Sequence, residues 1–205
     1  MSLSNSKIVP RCHVAVINHT LDSALFTVSG MPIMSNSRLL VFVALFMVVF
    51  LGCEALYMQS RGTGFERVFI DTLTVKPSAA LINWFTPDEG VSAQGPRLVS
   101  PFVRLSVLNG CEGTEAMFLL IAAITAFAAP WRHKLSGALL GIGLVYVLNQ
   151  IRIVVLYYSF RTDRALFDSI HGILGPALIV LVACGFFFWW TTRVSARTPA
   201  PTPNA

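Results

Sequence analysis

The sequence predicts an all-α integral membrane protein with about four transmembrane helices, and three observations carry that reading. Of its 205 residues, 55% are hydrophobic and only 12% charged, about half the charge of a soluble domain. Four apolar runs are long enough to cross most or all of a ~30 Å hydrocarbon core at ~1.5 Å per residue. The basic residues gather beside the ends of those runs on one side. The net charge of +5 is therefore a mark of topology. No basic stripe interleaved with aromatic residues points to nucleic acid, and the bilayer is the expected partner.

Residues 1–33 have mixed polarity, no helical period and no signal-peptide layout. They read either as upstream sequence ahead of a start at Met31 or Met34, or as a disordered cytoplasmic tail. The first span is expected at Leu39–Met58. In GFERVFIDTLTV, Phe65, Val68, Phe69 and Leu73 recur at helical spacing, with Glu66, Arg67 and Asp71 opposite. That pattern predicts an amphipathic helix on the outer membrane surface. SAALINWF, between Pro77 and Pro87, is too short to span, and it either continues that helix or dips into the bilayer. VRLSVLNG alternates Val103, Leu105 and Val107 with Arg104 and Ser106, a short strand signal just before Cys111. Further spans are expected at Glu115–Trp131, Leu135–Tyr158 and Gly172–Thr192, completing one membrane-embedded domain over residues 34–192. Residues 193–205 end in Pro-rich TPAPTPNA and read as a disordered cytoplasmic tail.

One side of this arrangement holds Lys7, Arg11, Arg38, Arg132, Lys134, Arg193 and Arg197, against Asp22. The positive-inside rule makes that side cytoplasmic, with both termini there. Residues 59–114 and 160–171 then lie outside, and Trp189 and Trp190 read as an inner interfacial belt.

Three polar residues fall at one depth on this topology. Cys111 lies at the outer end of the second span, and His171 just before the fourth. Arg152 lies about 25 Å along the third span from Leu135. A thiol, an imidazole and a guanidinium brought together suit acyl transfer: thiolate attack, proton shuttling and oxyanion stabilisation. The cation and the helix N-terminus are expected to lower the thiol pKa, while Glu112 and Glu115 oppose them. Asn149, one turn before Arg152, can orient the guanidinium or a substrate carbonyl. Gly110 and Gly113 allow a sharp turn and close approach of a substrate backbone, and Thr114 or Asn109 can cap the helix. Each residue also has a plainer reading: cysteine as a packing residue, arginine snorkelling to the interface, histidine at the interface, asparagine in an interhelical hydrogen bond. Cys12, Cys53, Cys111 and Cys184 show no C-x-x-C spacing, so neither a disulfide framework nor a zinc site is indicated, and Cys53 and Cys184 read as packing.

With these residues in hand, the chain resembles the exosortase/archaeosortase family, most like its exosortase H branch. NGCEGTEAMFLLIAAITAFAAPWRHKLSGALLG resembles the family's cysteine motif and following helix, NQIRI its Asn-x-x-Arg motif, and FDSIHG its histidine motif. The likeness covers about Arg97 to Trp190; the first span fits loosely and residues 1–33 do not fit. It implies a cysteine transpeptidase-like enzyme of the bacterial inner membrane, with its site facing the periplasm. The implied substrates are exported proteins bearing a C-terminal sorting signal. The family's catalytic residues fall on Cys111, Arg152 and His171, and no metal or organic cofactor is implied. The residue after the cysteine is usually small or neutral in the family. Here it is Glu112, which is expected to point away from the thiol or to pair with a cation such as Arg104. Two other readings stand beside this one. The first is a non-enzymatic membrane assembly or transport subunit with a polar intramembrane site. The second is a metal site built from Cys111, His171 and a glutamate. The acyl acceptor (water, an amine or a lipid-linked sugar) stays open.

Overall fold

A computed structural model describes residues 36–108 and 110–195. The expectations for residues 1–33, for Asn109 as a cap and for the tail beyond Ser195 lie outside these. The described residues from 41 on belong to one compact unit, and of residues 1–40 only the opening turn of the first helix is described.

Helix α1 (Asn36–Gln59) is apolar all round and buries only Tyr57. After a turn at Gly62, the Thr63 hydroxyl accepts from Phe65 N and starts α2 (Gly64–Arg67). The helix runs on through a π-helical stretch (Val68–Val75) into α3 (Lys76–Phe85). SAALINWF thus continues the helix. The face this run buries is Ile70, Thr74, Val75, Ser78, Ala79 and Ile82. Of the expected apolar stripe, Phe65, Val68 and Leu73 are exposed and Phe69 is half-buried.

A 3-10 turn (Pro87–Glu89) leads to three short strands, β1 (Ser92–Gln94), β2 (Arg97–Val99) and β3 (Arg104–Ser106). They form an antiparallel sheet in the order β1-β2-β3, with Gln94 opposite Arg97 and Leu98 opposite Leu105. Val103, Leu105 and Val107 are buried, while Arg104 and Ser106 are exposed, as the alternation predicts. The sheet and the α2–α3 run close over Ile153, Leu156 and Tyr157 to make a first core. A polar knot fastens it. The Tyr157 hydroxyl donates to Glu89 Oε2 at 2.8 Å and lies 2.8 Å from Ser100 Oγ, and Arg161 pairs with the other Glu89 oxygen.

The rest is helical: α4 (Thr114–Ala126), α5 (Trp131–Thr162), α6 (Arg164–Ser169), a π-turn (Ile170–Leu174) and α7 (Gly175–Ser195). Ala116, Leu120 and Ile124 of α4 meet Val145 of α5 and Ile179, Ala183, Trp190 and Val194 of α7 in a second core. Gly137 and Gly141, one turn apart on α5, let the neighbours approach closely. A Cβ at Gly137 would stand 2.4 Å from the Trp190 indole nitrogen, and one at Gly141 2.5 Å from Leu120 Cδ2.

Among the described residues, three helices are long and apolar enough to cross a membrane: α1, α5, and the continuous run Arg164–Ser195. The second expected span is shorter than the sequence suggests. At 13 residues, α4 reaches only about 20 Å. It stops because Phe127 turns extended and Pro130, at the cap of α5, cannot continue a helix. The last helix starts earlier than expected, at Arg164, so His171 lies within it rather than ahead of it. Trp190 is also not part of a surface belt. It is buried against Gly137 and meets the Phe127 ring edge-on at 5.7 Å, whereas Trp189 is exposed under the Arg193 guanidinium.

Candidate active site

Cys111 sits in the loop between β3 and α4, packed against the first core. Gly110 (φ 92) and Gly113 (φ 79) both hold left-handed backbone, which a side chain would strain. Gly113 is the cap residue of α4 and no side chain caps that helix end. Gly113 also lies directly against α5: a Cβ there would be 2.9 Å from Asn149 Cγ. Asn149 Nδ2 donates to the Cys111 carbonyl at 3.0 Å. Asn149 therefore fastens the backbone of the thiol-bearing residue, rather than orienting the guanidinium.

His171 enters from the π-turn. Its Nδ1 lies 3.8 Å from Cys111 Sγ. The imidazole stacks on the Phe167 ring one turn earlier, with centroids 5.4 Å apart and planes 4° from parallel. Phe167 is held in turn by the edge of Phe160 at 5.1 Å. Arg152 reaches the same turn from α5, where its Nη2 donates to the His171 carbonyl oxygen at 3.3 Å. Leu105, Val107, Ile153, Leu156 and Phe167 complete a small cleft around the thiol and the imidazole. The fold thus brings Cys111, Asn149, Arg152 and His171 together from three segments, with Gly110 and Gly113 shaping the loop. Among the described residues no group of three or more His, Cys, Asp or Glu side chains is arranged to hold a metal ion.

The model of the transmembrane exosortase family (Exosortase_EpsH) matches residues 10–190. The chain belongs to that family. No curated protein and no solved structure matches it. The matched stretch reaches well beyond Arg97–Trp190, taking in α1, the α2–α3 run, β1 and residues from 10 onward, which carry none of the three motifs.

In this exosortase the electrostatics of the thiol differ from the sequence expectation. Burial pushes the Cys111 thiol pKa up from its ordinary value. Arg152 pulls against that, Glu112 and Glu115 add to it, and the net direction is upward. The cation is present, but the dry surroundings outweigh it. Since the thiolate is the reactive form, less of it is present at neutral pH than for a free cysteine. Alkylation of Cys111 should therefore keep climbing with pH beyond the point where a free thiol levels off; a plateau at or below that point would contradict this.

Glu112 does not pair with Arg104. It is buried, and its Oε1 accepts from the Tyr57 hydroxyl at 2.7 Å and from Thr114 Oγ1 at 3.3 Å. Its Oε2 has no hydrogen-bond partner among the described residues. Tyr57, the buried residue of α1, thereby ties that helix to the cysteine loop. Glu112→Gln keeps the shape and removes the charge. It should lower the thiol pKa and speed Cys111 alkylation at neutral pH several-fold, to about tenfold for a one-unit shift. An unchanged rate would mean that Glu112 does not act on the thiol.

Two residues of the site were not foreseen. Phe167 had a usable signal, since it stands four residues before His171 and hence one helical turn away. Tyr57 had none, because its partner is 55 residues distant in the chain.

Proposed function

We propose that this exosortase is a membrane cysteine peptidase or transpeptidase that cleaves the C-terminal sorting signal of exported proteins at the outer face of the bacterial inner membrane. The observation that carries the reading is the 3.8 Å approach of Cys111 Sγ to His171 Nδ1. His171 takes the thiol proton as Cys111 attacks the scissile carbonyl, and then gives it to the departing amine. A thioester on Cys111 is left, which an acceptor (water, an amine or a lipid-linked sugar) resolves with the proton returning through His171. The raised thiol pKa favours proton transfer during attack over a standing thiolate. The Arg152 guanidinium stabilises the negative charge that builds on sulfur and on the carbonyl oxygen. Asn149, Gly110 and Gly113 hold the loop so that the sulfur faces the cleft.

In the topology that goes with this reading, residues 34–192 form one domain that crosses the membrane four times. The turn after α4 completes the second crossing, and both termini are cytoplasmic. The site faces the periplasm, and exposed Phe65, Val68 and Leu73 rest on the outer leaflet. The substrate's apolar tail lies against the spans by helix packing.

The test is a blot for substrate length in cells that hold a tailed substrate with either the native protein or Cys111→Ala. Processing should stop while the variant still accumulates in the membrane. Continued processing would remove the thioester mechanism.

A further inference from the structure

Arg152 is buried, at 8% exposure, and its guanidinium ends beneath the turn that bears His171. Two local features make room for it. The π-turn changes the bonding pattern: the Gly175 N–H bonds to the Ile170 carbonyl, and the His171 carbonyl accepts from Arg152 Nη2. Gly175 then leaves the space an arginine needs. A Cβ there would stand 2.8 Å from Arg152 Nε, 3.1 Å from Arg152 Cδ and 2.7 Å from the Ile170 carbonyl oxygen. Among the described residues Arg152 Nε has no hydrogen-bond partner, so the bond from Nη2 and the shape of this seat fix the guanidinium there. Gly172 and Gly185, in the same helical run, have nothing within 4 Å of an added Cβ. Among these three glycines the demand is therefore specific to Gly175, where the Ile170 carbonyl and the Arg152 side chain both close in.

We propose that Gly175 is a positioning residue: with the π-turn Ile170–Leu174 it forms a seat that holds the Arg152 guanidinium against the histidine turn and beside Cys111. Its meaning for catalysis rests on the peptidase reading, but the seat itself does not. The charged and titratable groups acting on the thiol are Arg152 from α5, His171 from the π-turn, Glu112 from its own loop and Glu115 from α4. If Arg152 is displaced, the two carboxylates act unopposed by its charge. Gly175 thus tunes the thiol without touching it.

The test compares native protein, Gly175→Ala, Arg152→Ala and the double variant in membranes. Cys111 is alkylated with iodoacetamide from neutral to alkaline pH and followed by mass spectrometry of its peptide. Gly175→Ala should slow alkylation at neutral pH about tenfold, equivalent to a one-unit alkaline move of the profile. Arg152→Ala should do the same, and the double variant should add nothing further, since both changes act through one group. A native profile in Gly175→Ala, or a loss that adds to that of Arg152→Ala, would overturn the proposal. If Gly175→Ala accumulates poorly, adding Arg152→Ala should restore it to the level of Arg152→Ala alone. Failure to restore it would make the Ile170 carbonyl the obstacle and also sink the seat. A protein that alkylates as expected but processes no substrate would remove the peptidase reading and leave the seat standing.

Discussion

On the proposed peptidase reading, His171→Ala should slow substrate processing about 10²–10⁴-fold, the usual worth of a positioned proton-transfer group, while the protein should still accumulate in the membrane. The geometry separates chemistry from structure at this position. The imidazole is exposed, so its loss leaves no cavity in either core. The Arg152 bond goes to the backbone carbonyl of residue 171 and survives the substitution. What disappears is the 3.8 Å partner of the thiol and the ring stacked on Phe167. Attack must then come from pre-formed thiolate alone. Because the thiol pKa is raised, the residual rate should rise steeply with pH in the alkaline range. A time course of substrate length at several pH values measures both. Retention of most of the native rate would show that His171 moves no proton in the slow step.

The second large effect is structural and contrasts two neighbours. Trp190→Ala should cost about 3–5 kcal/mol, as for other buried aromatic truncations. The indole fills the space over Gly137 and touches the rings of Phe127 and Phe187. Trp189→Ala removes an exposed ring whose contacts are the Phe186 ring and the Arg193 guanidinium, and should stay within about 1 kcal/mol. Thermal unfolding of the purified protein in detergent, read as the midpoint of each variant, would show the difference. Equal midpoints would contradict the buried position of Trp190.

That pair also shows where reading a sequence stops. A Trp-Trp pair near the end of a span fits an interfacial belt on composition alone. Which of the two turns inward depends on a glycine more than fifty residues away on another helix. The presence of α1, α5 and α7 was legible because unbroken apolar runs announce them, but α5 extends past Leu135–Tyr158 at both ends through mostly polar residues that carry no such signal. The end of α4 was not, since Phe127, Ala128 and Ala129 remain apolar after the helix has stopped. β3 was legible from its alternation, but the exposed Ser92–Gln94 strand carries no such pattern. At the site, reckoning depth along each span was enough to group Cys111, Arg152 and His171, which the fold brings close together. The partners of Glu112 and Asn149, the π-turn and the role of Gly175 depend on helix rotation and backbone bonding, which periodicity does not encode. The direction of the thiol shift was misjudged for a related reason: the cation is visible in the sequence, and the dryness around the sulfur is not.

Helix α5 runs through both cores, contributing Val145 to one and Ile153, Leu156 and Tyr157 to the other. Its 32 residues make a rod of about 48 Å, and Asn149 and Arg152 lie between the stretches that enter each core. Asn149 holds the Cys111 carbonyl and Arg152 the His171 carbonyl. One rod therefore carries the anchors of both reacting groups, and a tilt of α5 against either core would move the two together rather than one past the other.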